Sequence, residues 1–151
     1  MTTLIILLLA IVIGWAALRF AINPNTQPKA IGLNESGQLQ PCPQTPNCVS
    51  SQASTSDAAY IPPLTTDSDN PMAQVKAVLS ALGDFRVVKE DSDYMHIVVT
   101  TPLTGYRDDL ELLRDPQEPA TLHVRSASRL GRSDFGANRK RVEKLRQALG
   151  H

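Results

Sequence analysis

The feature that most limits what this chain can become is an apolar run at its start. From Thr2 to Leu18 no residue carries a charge; Arg19 follows, and Phe20, Ala21 and Ile22 carry the run to Asn23-Pro24. About 20 residues at about 1.5 Å each span the roughly 30 Å hydrocarbon layer of a bilayer. Trp15, Arg19 and Phe20 gather at the end where amphipathic side chains settle at an interface, and Pro24 stops the helix. Residues 3–22 are therefore read as one transmembrane anchor. A cleaved signal peptide fits less well. No Lys or Arg precedes the run, and cleavage after Ala17 or Ala21 would put Trp15 or Arg19 at the −3 place. A core helix is rarely so uniformly apolar.

Behind the anchor there is chain for one domain, since the whole has 151 residues. Fifteen Lys and Arg balance fifteen Asp and Glu, which speaks against a globally basic nucleic-acid binder and against an acidic disordered chain. Two cysteines are too few for a disulfide-rich miniprotein or an all-cysteine zinc site. No motif calls for a cofactor.

Residues 23–40 are polar and aperiodic and read as a linker of extended or coil character. Residues 41–63 are rich in Pro, Ser, Thr and Asn and read as a long loop. Asn70 or Asp69 then caps a helix beginning at Pro71, with Met72, Val75, Val78, Leu79 and Leu82 at helical spacing and Gly83 at its end. Strands are expected over 85–90, 94–101, 107–113 and 120–128, with Asp91-Ser92-Asp93 turning the first pair. A last helix over 134–149 places Phe135, Val142, Leu145 and Leu149 on an apolar stripe, with Asp134 or Ser133 as its cap. Short consecutive strands joined by tight turns predict an α+β domain over 41–149. Its antiparallel sheet has about four strands, with two amphipathic helices on one face.

Cys42 and Cys48 close a short proline-rich loop. Cys-x5-Cys is not the spacing of a redox catalyst, so a structural disulfide is the leading reading, with two cytoplasmic thiols or one reactive thiol as alternatives. Cys42 lies too far beyond the apolar run to be a lipoprotein acylation site. Orientation has two opposed signals. Arg19 and Lys29 follow the anchor, which by the positive-inside rule keeps the domain cytoplasmic. A disulfide needs an oxidising compartment. The disulfide is the stronger signal, so the domain is placed in the periplasm on an inner-membrane anchor.

Four stretches carry a pattern: Pro41–Ser51 (PCPQTPNCVSS), Gly105–Glu111 (GYRDDLE), Val124–Gly131 (VRSASRLG) and Ser133–Glu143 (SDFGANRKRVE). Together they resemble the bacterial and plant family catalogued as domain of unknown function 1499, over about residues 39–149. Arg107 stands where that family usually has an aliphatic residue. The resemblance brings no activity.

The same stretches hold the candidate site. By alternation Asp109 and Glu111 share a face with Arg125, pointing outward, where a cross-strand ion pair is worth about 0.2–1 kcal/mol. Asp108 points to the core and needs a partner, Arg139 or backbone amides. Asp108, Asp109 and Glu111 have the chemistry of acid, base or cation ligand; Arg125 and Arg129 suit a phosphate or carboxylate. Outward-facing His96 and His123 are possible additions, though no spacing brings them together as metal ligands. Ser126 and Ser128 lack the elbow and base of a nucleophile. Asn138 and Arg139, in the first turn of the last helix beside Gly131 and Gly136, would offer an anion backbone amides. The alternative is a salt-bridged sheet face tied to the last helix.

Overall neutrality hides two charged regions. Residues 129–146 hold seven bases against two acids, and 84–118 hold nine acids against four bases. The basic helix is either a solvated face or a surface for anionic headgroups. The leading functional expectation is a non-catalytic, envelope-facing binding or scaffold module. Its partner is the membrane, an anionic lipid or glycan, or an envelope protein, and not nucleic acid. The alternatives are a hydrolase built on the acidic cluster and a purely structural partner of a membrane protein.

Overall fold

The computed structural model describes residues 2–22, 26–83 and 85–150. Pro24, expected to stop the first helix, lies outside them. Helix α1 spans Thr2–Ala17, and its final turn, Leu18–Ile22, is wound wider. Residues Thr2–Ala21 are long and apolar enough to cross a membrane, and none of that stretch is buried against the rest of the protein. This sets the core-helix reading aside. Trp15 meets the Phe20 ring edge-on at 6.1 Å, and the Arg19 guanidinium lies 5.3 Å from the centre of the same ring. Trp15, Arg19 and Phe20 thus form one cluster.

The domain is α+β. Its elements are β1 (Cys48–Ser50), β2 (Leu64–Thr65), α2 (Pro71–Leu82), β3 (Phe85–Glu90), β4 (Tyr94–Thr100), β5 (Arg107–Arg114), β6 (Thr121–Ser128) and α3 (Ala137–Ala148). The sheet is wholly antiparallel, in the order β1-β6-β5-β4-β3, with β2 also on β6. Six strands therefore stand where about four were expected. The two extra strands, of three and two residues, are too short to show alternation. They pair with opposite ends of the outer edge of β6.

Helix α2 starts as its sequence dictates. Asn70 is the cap, its Oδ1 accepting the Ala73 amide at 3.2 Å, and Pro71 opens the first turn. Helix α3 begins later than expected, at Ala137 behind Gly136. Phe135 does not join its apolar stripe. It lies ahead of the helix with φ 53° and is 91% exposed. Val142 and Leu145, with Leu149 just past the helix end, form the stripe.

One sheet face carries the main core. Met95, Ile97, Leu110, Leu112, Leu122 and Val124 meet Val75 and Leu79 of α2 and Val142 and Leu145 of α3. Alternation puts Tyr94, His96, Asp109, Glu111, Arg125 and Arg129 on the other face, which was expected to meet solvent. All six are buried. The reason is the segment before the domain. Residues 26–39 lie across this face, folded back on themselves by a Leu33–Leu39 bridge and the Asn34–Gln38 turn. Leu39 packs with Tyr94 and Leu113 as a second, small core.

Candidate functional site

The covered face is built from two ion-paired centres side by side. The first is Glu111, which stands opposite Arg125 in the β5–β6 register. Its Oε2 accepts Arg125 Nη1 at 2.9 Å. Its Oε1 accepts the Tyr94 hydroxyl and the Gly32 amide, both at 2.7 Å. Glu111 has 0% and Arg125 2% exposure, so this pair is fully desolvated rather than the exposed cross-strand pair the alternation suggested. Burial, then the hydrogen bond to Glu111 and its charge, hold the Tyr94 phenol well above its ordinary pKa.

The second centre is Asp109. Arg129 grips it through two bonds, Nη2 to Oδ1 at 2.6 Å and Nε to Oδ2 at 2.9 Å. His96 Nε2 adds a bond to Oδ1 at 2.8 Å. Burial pushes the Asp109 carboxyl up. Hydrogen bonds from His96 and Arg129 and the charge of Arg129 outweigh it, so the pKa lies below the ordinary carboxylate value. Both arginines also reach the covering segment: Arg125 Nη1, the nitrogen that holds Glu111, donates to Ala30 O at 3.1 Å, and Arg129 Nη1 donates to Thr26 O at 2.8 Å.

Asp108, Ser126, Ser128 and Asn138 lie on the opposite, helix-bearing face. Fully buried Asn138 ties them together. Its Nδ2 donates to Asn47 O at 3.0 Å, Ser128 Oγ at 2.9 Å and Asp134 Oδ2 at 2.8 Å; its Oδ1 accepts from Ser126 Oγ at 2.7 Å and from Arg141. Asp108 pairs with Arg141, not with Arg139 as expected. Helix phase explains this. Arg141 lies three residues beyond Asn138 and so faces the same side; Arg139 is one residue on and turns away. Arg139 donates instead to the carbonyls of Ala58 and Tyr60, both at 2.8 Å. It lines a surface cleft of about 550 Å³ between the disulfide loop and the start of α3. Asp134 accepts the Gly136 amide at 3.0 Å and the Asn138 amide at 2.8 Å, so it caps the helix from two residues ahead of Gly136. Burial raises its pKa, and those backbone bonds bring it below the ordinary value.

The nine candidate residues thus fall into separate groups. The sheet divides Asp109, Glu111, Arg125 and Arg129 from Asp108, Ser126, Ser128 and Asn138, and Arg139 points elsewhere. The two histidines are also apart. His123 bonds to Ser51 Oγ through Nδ1 at 3.3 Å and to Asp115 Oδ2 through Nε2 at 3.1 Å. No group of three or more His, Cys, Asp or Glu side chains suited to a metal ion occurs among the described residues. Sequence reasoning passed over Tyr94, Asn47 and Arg141. The Asp134–Asn138–Arg141 spacing of four and three residues was a usable signal for the last.

Cys42 and Cys48 form a disulfide, with Cα atoms 5.7 Å apart. A model of the family described as Protein of unknown function (DUF1499) matches residues 38–149. The chain belongs to the DUF1499 family. Both networks, the disulfide and the Leu39 plug lie within the DUF1499 match, whereas residues 26–37 of the covering segment precede it. No curated protein matches the chain.

Proposed function

We propose that this DUF1499 protein is a single-pass inner-membrane protein whose domain faces the periplasm. There it serves as a non-catalytic binding or scaffold module with an anionic ligand or a membrane partner. The observation that carries the non-catalytic reading is the spending of the acidic cluster. Asp108, Asp109 and Glu111 are each held by an arginine inside the fold. A carboxylate locked to a guanidinium and closed to solvent is a poor acid, base or metal ligand. Placement rests on α1 as anchor and on the disulfide, which persists in oxidising compartments. Arg125, Arg129 and Arg139 are bonded within the domain, so an anionic partner would meet exposed Arg132, Lys140 and Lys144.

Maleimide-PEG labelling of Cys42 and Cys48 in intact cells tests the placement. The reading expects labelling only after reduction, by a reagent confined outside the inner membrane. Labelling without reductant, and only after that membrane is opened, would put free thiols in the cytoplasm.

One observation favours a hydrolytic alternative: the Ser51–His123–Asp115 chain of hydrogen bonds has the order of a nucleophile, base and orienting acid. Against it, the Ser51 hydroxyl accepts the buried Val124 amide at 2.9 Å and so continues the β1–β6 pairing. Covalent capture of Ser51 by a fluorophosphonate would favour the enzyme.

A further inference from the structure

The covering segment meets the two ion-paired centres as a peptide main chain. Three bonds to them use its backbone atoms: the carbonyls of Thr26 and Ala30 and the amide of Gly32. The side chains of the segment are not read at these points. Two guanidinium donors and one carboxylate acceptor, set along neighbouring strands, therefore form a reader of peptide main chain, here one that bends at Gly32. Arg125 carries a further signal. It is 98% buried, yet its Nε has no hydrogen-bond partner. A buried, unpartnered guanidinium donor is costly, and a ligand with one more acceptor would satisfy it. Residues 26–37 precede the family match, whereas Leu39, which fills the small core with Tyr94 and Leu113, lies within it.

We propose that the Glu111–Arg125 and Asp109–Arg129 face is a binding site for a peptide segment of a partner protein, read through its main chain and bent at a glycine as the cis occupant, residues 26–33, is at Gly32. The inference rests on the binding-module reading and gives it a ligand class. Because the cis segment follows α1 closely, the site opens only when the segment lifts from the sheet. A partner peptide then competes for the same three bonds, and its apparent affinity falls by the fraction of molecules whose segment is in place.

The test uses the full chain in detergent and Gly32→Pro. Gly32 has φ 91°, which proline cannot adopt, and proline lacks the amide that Glu111 accepts. An added Cβ at Gly32 meets nothing within 4 Å, so the change acts on the segment and not on the sheet. Hydrogen exchange first establishes that residues 26–33 are released while β5 and β6 stay protected. A fluorescent peptide with the sequence of residues 26–33 is then titrated. The proposal expects it to bind Gly32→Pro at least about tenfold tighter than wild type. It also expects the same peptide with an N-methylated glycine to lose that gain. Three results overturn it: no binding although the segment is released and the sheet intact; equal binding to wild type and variant; or loss of β5 and β6 protection together with the segment. None of these touches the placement of the domain, which the thiol labelling decides separately.

Discussion

Glu111 and Arg125 stand opposite each other on adjacent strands, 2.9 Å apart and closed to solvent. Breaking a buried pair by removing one partner costs about 3–5 kcal/mol, whereas replacing both by apolar residues of similar size is often neutral. Arg125→Met is therefore expected to lower the unfolding free energy by about 3–5 kcal/mol, and the double variant Glu111→Leu/Arg125→Met to recover only part of it, because the Tyr94 hydroxyl and the Gly32 amide then lose their acceptor. Urea unfolding of the four proteins of this cycle measures both. A single-variant loss below about 1 kcal/mol would mean the pair is screened like a surface one.

The neighbouring centre gives the protein an acid limit. The folded pKa of Asp109 lies below its ordinary value, because bonds from His96 and Arg129 outweigh its burial. Its contribution is thus fully present above the unfolded value of about 3.9 and is lost as pH falls through the depressed folded value. Asp134 has the same sign. Tyr94 has the opposite one: its folded pKa is raised, so its contribution is complete below about pH 10 and is lost as pH climbs above that. Urea midpoints across pH are expected to fall at both ends. Asp109→Asn should flatten the acid limb and Tyr94→Phe the alkaline one.

How much of this was legible follows from what a pattern encodes. Alternation in Arg107–Arg114 and Thr121–Ser128 placed Asp109, Glu111 and Arg125 on one face, because side-chain period is a local property. It did not say what covers that face. The covering segment is aperiodic and makes its contacts through main-chain atoms at separations near 100 residues, which leave no mark on the side chains of residues 26–33. The caps of α2 were readable for the converse reason: Asn70, Pro71 and Gly83 act on their immediate neighbours. Residues 48–50 and 64–65 hid as strands because three and two residues carry no period. The Asp108 partner was misassigned by two positions, which on a helix is more than half a turn.

The disulfide closes a short loop that leads directly into β1. The chain-entropy relation gives about 2–3 kcal/mol for a loop of this size, and Pro43 and Pro46 reduce the entropy left to remove. Reduction is expected to lower the melting temperature by several degrees without abolishing folding, since the six-stranded sheet and its core do not depend on it. Scanning calorimetry with and without reductant reads the shift. Complete unfolding on reduction would show that β1 is held by the bridge rather than by its pairing with β6.

Asn138 is the most connected side chain on the helix face, joining α3 to the β1 region and β6 through Asn47, Ser126 and Ser128. Its removal would take the Asn138 bond from the Ser128 hydroxyl, at about 1–3 kcal/mol for an orphaned group, and one of two bonds each from the Asn47 carbonyl, which keeps the Ser128 amide, and the Ser126 hydroxyl, which keeps Arg141. Asn138→Ala is therefore expected to destabilise by at least about 2 kcal/mol, more than a cap loss of about 1 kcal/mol would give. Asn138→Asp keeps the Oδ1 acceptor for Ser126 and Arg141 but faces the Asp134 carboxylate with a second negative charge. It should be worse than wild type at neutral pH and improve as pH falls toward the carboxylate range. Asp134→Asn in the Asn138→Asp background should relieve that repulsion. Urea unfolding of the three variants at two pH values decides it: equal stability of Asn138→Ala and wild type would mean that water replaces the amide, and that Val142, Leu145 and the arginine bonds of α3 suffice to hold it.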